Sequence, residues 1–296
     1  MKSNTPKELV VVSGKGGTGK TSITASLASF FPKKVLVDGD VDAADLHLLF
    51  NLKNTKTEDY YGGSIAEIIQ DKCTQCGICE SLCRFDAIIF EENRYVVQEM
   101  SCEGCKVCVD HCPEKAFLWK PDLNGIWMES ETLHGSLIHA RLTPGSENSG
   151  KLVTHVKEIG KKRAIEQNTP LVIVDGPPGI GCPAIAALTG ASGLLMVTEP
   201  TPSGLHDLIR ILDLAAHFKL KSCVLLNKAD INPKYEALIQ AEIKKFDASF
   251  IGTLPYSKIF TEAQLKGQSI VEAYPDSKES IYLKEIAKRV TSFLGL

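Results

Sequence analysis

Long apolar runs are missing from this 296-residue sequence: none approaches the roughly 18 residues that a membrane-spanning helix needs. Long runs of one charge are missing too. No five consecutive residues share a sign, and the net charge of -3 leaves no basic footprint, so nucleic acid is not an expected partner. The opening residues, Met1 to Glu8, are polar and include Pro6 and Glu8, unlike a secretory signal, which makes the cytoplasm the expected compartment. None of the seven histidines stands at ligand or triad spacing from a partner, so a histidine-based metal or nucleophile site is not expected. What is left is a chain whose 44% hydrophobic content can bury one large domain and a small one.

Cysteine is the residue in excess. Eight of the ten fall between Cys73 and Cys112 at short repeated spacings, which in a cytoplasmic chain points to metal rather than disulfides. A second concentration of chemistry lies near the start. There the apolar run Leu9-Val10-Val11-Val12 leads into Gly14-Lys15-Gly16-Gly17-Thr18-Gly19-Lys20-Thr21, and a helix-compatible stretch follows from Ser22 to Phe31. Strand, glycine-rich turn and helix form the setting of a phosphate-binding loop, in which backbone N–H groups converge on phosphate oxygens at the positive end of the helix. Lys20 would reach the β- and γ-phosphates and Thr21 would ligate magnesium.

Lys15, directly after the first glycine, resembles the deviant Walker A of the MinD/ParA/Mrp and nitrogenase iron protein superfamily. The resemblance implies ATP as ligand, and a lysine that crosses a homodimer interface to the partner's nucleotide. On the residues alone, Lys15 could equally be a surface lysine. Further segments carry the same resemblance. Lys34 to Val37 reads as a buried strand ending in Asp38-Gly39-Asp40, and Asp40 would then orient the attacking water and contact the magnesium shell. Asp42 and Asp45 could belong to this site or could begin a helix through Leu46, Leu48 and Leu49. The run Leu171 to Val174 ends in Asp175-Gly176-Pro177-Pro178-Gly179, a Walker B element in the Mrp-like form. By resemblance Asp175 serves Mg2+ and Gly179 senses the γ-phosphate. Asn227, closing the strand Cys223 to Leu226, would read the adenine, and Pro255-Tyr256 would begin the loop over the base. Asn227 could otherwise cap the next turn.

In the cysteine-rich stretch, Cys73-x2-Cys76-x2-Cys79-x3-Cys83 returns 29 residues later as Cys102-x2-Cys105-x2-Cys108-x3-Cys112. This resembles a bacterial two-cluster ferredoxin, where the fourth cysteine of each run ligates the other run's cluster. The resemblance implies one [4Fe-4S] cluster on Cys73, Cys76, Cys79 and Cys112, and a second on Cys102, Cys105, Cys108 and Cys83. Arg84 and Lys106 depart from the common pattern, standing for proline and glycine. Each would be either a cation near a cluster or a solvated side chain. A short helix is expected from Ser64 to Gln70, and a hairpin turn at Glu91-Glu92-Asn93.

Strands alternating with helices along the rest of the chain predict a mainly parallel sheet covered on both faces. The amphipathic tail Ser280 to Leu296 is expected to pack on that sheet rather than on a membrane. Cys182, seven residues after Asp175, is read as a packed thiol, and Cys223 as core. The sequence is thus expected to fold as an α/β P-loop NTPase over residues 1–64 and 125–296. A small α+β ferredoxin-like domain would be inserted at 65–124. The expected function is a nucleotide-driven homodimer in which Lys15, Lys20 and Asp40 serve ATP hydrolysis. That switch would gate electron transfer through two clusters to a redox protein or metallocofactor-assembly partner. Two alternatives stay open: an Mrp-like cluster carrier, and a nucleotide-switched redox-sensing regulator.

Overall fold

The computed structural model describes residues 5–296. Two compact units divide the chain. One takes the described residues up to Glu58 together with Trp127–Arg141 and Ser149–Leu296; the other takes Asp59–Ile126 and Leu142–Asn148.

A nine-stranded sheet runs through the chain, with most of its strands in the first unit. Its spatial order is β11 (Ser249–Thr253), β10 (Ser222–Leu226), β9 (Gly193–Thr198), β1 (Lys7–Ser13), β8 (Leu171–Pro178), β2 (Val35–Asp38), β7 (Gly135–Leu142), β6 (Phe117–Thr132) and β3 (Lys53–Ile68). From β11 to β7 every neighbouring pair is parallel. The reason is legible in the central strands, whose continuous apolar runs at Leu9–Val12, Val35–Val37 and Leu171–Val174 are buried on both faces. On one face Leu9, Val11, Leu36 and Ile173 join Ile23 and Leu27 of α1 (Lys20–Ala28). On the other, Gly160 of α4 (Ser149–Glu166) lies so close to Val37 and Val172 that an added Cβ would come within 2.4 Å of Val37.

The C-terminal helix α10 (Lys278–Leu294) puts Leu283, Ile286, Val290 and Leu294 into the same core as α1, so its apolar face is spent on its own sheet. Among the described residues no helix is long and apolar enough to cross a membrane. Two expectations fail here. Ser64 to Gln70 is not a helix: β3 continues to Ile68, and only a 3-10 turn, Gln70–Lys72, follows. The flexible pair Gly62-Gly63 disfavours a helix, and pairing into the sheet satisfies the backbone instead. The helix around Leu46 likewise reduces to a 3-10 turn, Leu46–Leu49.

In the second unit, β4 (Ile88–Glu91) and β5 (Arg94–Val97) form an antiparallel hairpin. Glu92 and Asn93 turn it with φ of 48° and 62°, the positive pair that suits the strand twist. Around it the 29-residue repeat is written into the backbone. Short helices α2 (Ile78–Leu82) and α3 (Val107–Asp110) occupy equivalent places. Positive φ recurs at Gln75 and Gly104, at Gly77 and Lys106, and at Asp86 and Lys115. The repeats also exchange bonds: Ile69 N–H donates to Ala116 O at 2.9 Å, and Gln98 N–H donates to Ala87 O at 2.7 Å.

The remaining helices are α5 (Cys182–Leu188), α6 (Pro202–His217), α7 (Pro233–Lys245), α8 (Ile259–Leu265) and α9 (Ile270–Ala273).

Candidate functional site

The Gly14–Thr21 loop leaves β1 at the carboxyl end of the sheet and enters α1 through Gly19, whose φ of 92° is left-handed. A side chain at Gly19 would be strained, and its Cβ would also meet Asn227 Nδ2 at 2.6 Å. A cleft of about 690 Å3 opens over this loop, lined by Gly16 to Ser22 and by Asp40, Pro177, Pro178 and Gln264. That volume lies in the range of small-molecule sites.

Asp175 is the hub of the cleft's floor. It is buried within β8, directly after the apolar run Leu171–Val174, where the β8–β2 register sets it beside Asp38. Its Oδ2 accepts from Lys20 Nζ and from Thr21 Oγ1, both at 2.7 Å, and its Oδ1 accepts from Thr24 Oγ1 at 2.7 Å. Lys20 Nζ stands 4.0 Å from Asp40 Oδ2. Burial, with Asp175 alongside, pushes Asp38 up to about 8, although Leu46 N–H and Asp40 N–H both donate to it. Burial also pushes Asp40 up to about 6, against the pull of Lys20. Gly179 N–H donates to Ser13 O at 2.9 Å, which ties the segment after Asp175 to the start of the loop.

Sequence reasoning did not assign Asp38, Thr24, Glu199, Lys228 or Gln264. Gln264 Nε2 donates to Ser22 Oγ at 2.7 Å. Glu199 directly follows β9 and bonds two lysines: Lys15 Nζ at 2.6 Å and Lys228 Nζ at 3.0 Å. Burial alone would raise its pKa, but the bonds from Lys15 and Lys228 hold it below the usual carboxylate value. A glutamate shortly after the apolar run Leu194–Val197 is all that the sequence shows of it; the burial is learned only from the fold.

Asn227 does not line the cleft. It lies behind the loop, where its amide donates to Thr18 O at 2.8 Å and its carbonyl accepts from Lys228 N–H at 3.0 Å. Pro255 lines a different cleft, with Asp230 and Arg289. Tyr256 is exposed, and its N–H donates to Asp230 Oδ1 at 2.6 Å. Cys182 is exposed rather than packed: it is the first residue of α5, whose buried positions are Ala184, Ala187 and Leu188. Cys223 is buried in β10, as read.

The eight clustered cysteines fall into two sets. Cys73, Cys76, Cys79 and Cys112 line one cavity with Ile68, Tyr95 and Phe117. Cys83, Cys102, Cys105 and Cys108 line another with Ala66, Ile88 and Trp119. Burial raises the Cys79 thiol, and raises Cys108 to about 11. Among the described residues no group of three or more His, Cys, Asp or Glu is gathered tightly enough to hold a single metal ion. Lys106 is half exposed and pairs with Asp110 Oδ1 at 3.4 Å, and Arg84 is exposed.

A phosphate-binding loop on a parallel sheet, with an aspartate on the neighbouring strand, is the frame of one family of nucleotide-binding domains. Residues 9–270 match the model of that family, the CobQ/CobB/MinD/ParA nucleotide binding domain. The chain belongs to it. As a member of this family it is a nucleotide-binding ATPase. An uncharacterised protein of Methanocaldococcus jannaschii is 32% identical over 97% of both chains. Among solved structures, the septum site-determining protein MinD of Pyrococcus horikoshii, complexed with Mg-ADP, aligns at 18% identity and a TM-score of 0.58, covering 98% of each chain. MinD in the MinC:MinD cell division complex of Aquifex aeolicus aligns at 19% identity and a TM-score of 0.58, over 97% of this chain and 96% of that one. Both neighbours share this MinD-type fold.

Proposed function

We propose that this ATPase is a nucleotide-switched homodimer that gates electron transfer through two [4Fe-4S] clusters held by its second unit. The observation that carries the reading is the sorting of eight cysteines into two cavities, four to each, with one member of each set drawn from the other repeat. Apolar walls around four thiols suit a cluster, because thiolate charge is costly there unless a metal neutralises it. Bound there, the clusters would supply one-electron chemistry. Cys73, Cys76, Cys79 and Cys112 would hold one, and Cys83, Cys102, Cys105 and Cys108 the other. The inserted, ferredoxin-like part then corresponds to about residues 65–124, between the two ATPase segments.

At the nucleotide, the N–H groups of Gly16, Gly17, Thr18, Gly19, Lys20 and Thr21 would meet the phosphates, with Gly14 leaving the chain room to turn. Lys20 now lies on Asp175. A triphosphate would draw Lys20 toward the β- and γ-oxygens and free Asp175, with Thr21, for the magnesium shell. Asp40 would accept from the attacking water, and Lys15 of the opposite subunit would stabilise the charge that develops. Gly179 would respond to the γ-phosphate by giving up its bond to Ser13 O, so the segment from Asp175 onward acts as a switch. Asn227 would set the base end by holding Thr18, and Pro255 and Tyr256 would lie near the base.

The redox reading is tested by anaerobic reconstitution. About eight irons per chain are expected, with ATP turnover that differs between oxidised and dithionite-reduced protein. Iron-free protein after reconstitution, or turnover indifferent to redox state, would overturn it.

A further inference from the structure

Lys15 is expected to act on a partner subunit's nucleotide, yet its ammonium is already engaged on its own chain. Nζ lies 2.6 Å from Glu199 Oε1 and donates to Ser203 Oγ at 3.1 Å. The second oxygen of Glu199 receives Lys228 Nζ at 3.0 Å, and that same ammonium donates to Gly17 O at 2.9 Å. One carboxylate therefore fastens the phosphate-binding loop at two places, by the side chain of Lys15 and, through Lys228, by the carbonyl of Gly17.

We infer that Glu199 is a latch: it holds Lys15 in cis, and this hold must break before the lysine can cross to a second subunit. The inference rests on the homodimer proposed above and adds the residue that opposes its assembly. Three features argue for a latch rather than an incidental surface pair. The Glu199 side chain is only 9% exposed while that of Lys15 is 39% exposed, so the acceptor is fixed and the lysine is the member able to leave. Lys228 keeps Glu199 in place and charged whether or not Lys15 is there, which makes the hold reversible. Ser203, in the first turn of α6, adds a second acceptor on the same side of the loop, so the lysine is steered by two groups from one wall.

A dimer breaks two such latches and replaces each with contacts to phosphate. ATP supplies the stronger counter-charge for Lys15, so the triphosphate state is the one that can outbid Glu199. The latch thereby makes assembly depend on nucleotide, because without phosphate across the interface Lys15 gains nothing by leaving.

The test is Glu199→Gln, which keeps the shape and a hydrogen-bonding oxygen but removes the charge. Wild type, E199Q, Lys15→Ala and the double variant are compared by analytical ultracentrifugation at saturating Mg-ATP, so that altered nucleotide affinity does not enter. The reading predicts that E199Q dimerises at about tenfold lower protein concentration than wild type, the scale of losing a charge-assisted bond in each subunit. Placing K15A beneath E199Q should abolish that gain. A midpoint that is unmoved or raised by E199Q, while K15A alone still weakens dimerisation, would overturn the latch and leave the cross-subunit lysine standing. Dimerisation and turnover unaffected by K15A would instead remove the parent proposal. Thermal unfolding of E199Q near the wild-type midpoint shows that the variant is folded; should it unfold early, Glu199→Asp, which shortens the reach to Lys15, must show the same direction of shift or the latch is refuted.

Discussion

Replacing Lys157 with methionine should destabilise the ATPase unit heavily, although the residue touches no nucleotide element. Lys157 is a buried ammonium on α4, 2.9 Å from Glu8 Oε1 on β1. It also donates to the carbonyls of Ala186 at 3.0 Å, Thr189 at 2.8 Å and Ala187, so it satisfies the end of α5 where no helical N–H remains. Methionine fills the volume but leaves a buried carboxylate without its counter-ion and three carbonyls without a donor. Breaking one side of a buried pair costs about 3–5 kcal/mol, a large share of the roughly 5–15 kcal/mol that holds a folded domain. The cost has a pH signature. Burial already raises the pKa of Glu8, and Lys157 opposes that rise. Without the lysine the folded-state pKa climbs further above the unfolded value. The folded form then favours the protonated acid, and stability is lost as pH rises through the window between the two values. Urea unfolding followed by circular dichroism should show the mutant and wild-type midpoints converging toward pH 4 and separating toward pH 7. Adding Glu8→Gln to Lys157→Met should recover part of the loss. A deficit below about 1 kcal/mol at pH 7, or one independent of pH, would refute the buried-pair account.

Cys112→Ala should remove about half the iron of reconstituted protein and spare the cluster on Cys102, Cys105 and Cys108, and Cys83→Ala should do the converse; paramagnetic resonance of each reduced variant checks which signal survives. Lys15→Ala should bind ATP with little change by calorimetry while turnover falls at least tenfold, and unchanged turnover would remove the cross-subunit role. Lys106 holds φ at 67°, where its counterpart Gly77 holds 75°. Lys106→Gly should therefore raise the stability of the second unit by up to about 1 kcal/mol in thermal unfolding, offset by the exposed pair with Asp110. Gly77→Ala should lower it by a similar amount, because an added Cβ would stand 3.0 Å from Tyr95 Oη.

How far the sequence could be read depends on where each residue gets its instructions. Leu9–Val12 and Leu171–Val174 are buried on both faces, so their runs announce interior parallel strands without reference to anything distant. The loop from Gly14 to Thr21 is equally local; its meeting with Asp175 is not, but each partner sits in its own short motif, so the pair could be read before β1 and β8 were known to be neighbours. The strand β3 was invisible for the opposite reason. It is the sheet's edge, and Lys53 to Asp59 are exposed, with lysines and acids in place of alternation. Strand β7 was missed as well, because His139 and Ser136 interrupt its apolar pattern even though both are buried. The clasp of Glu199 on Lys15 and Lys228 joins residues far apart in sequence, and no short motif encodes it. For the same reason Asp38 reads as merely one more strand-end acid until its contact with Asp175 is seen.

The crossed backbone bonds of the second unit, from Ile69 to Ala116 and from Gln98 to Ala87, make each repeat the other's partner. Opening one repeat strips the other of a backbone bond, so the amides of both should lose their protection against hydrogen exchange together rather than one repeat at a time.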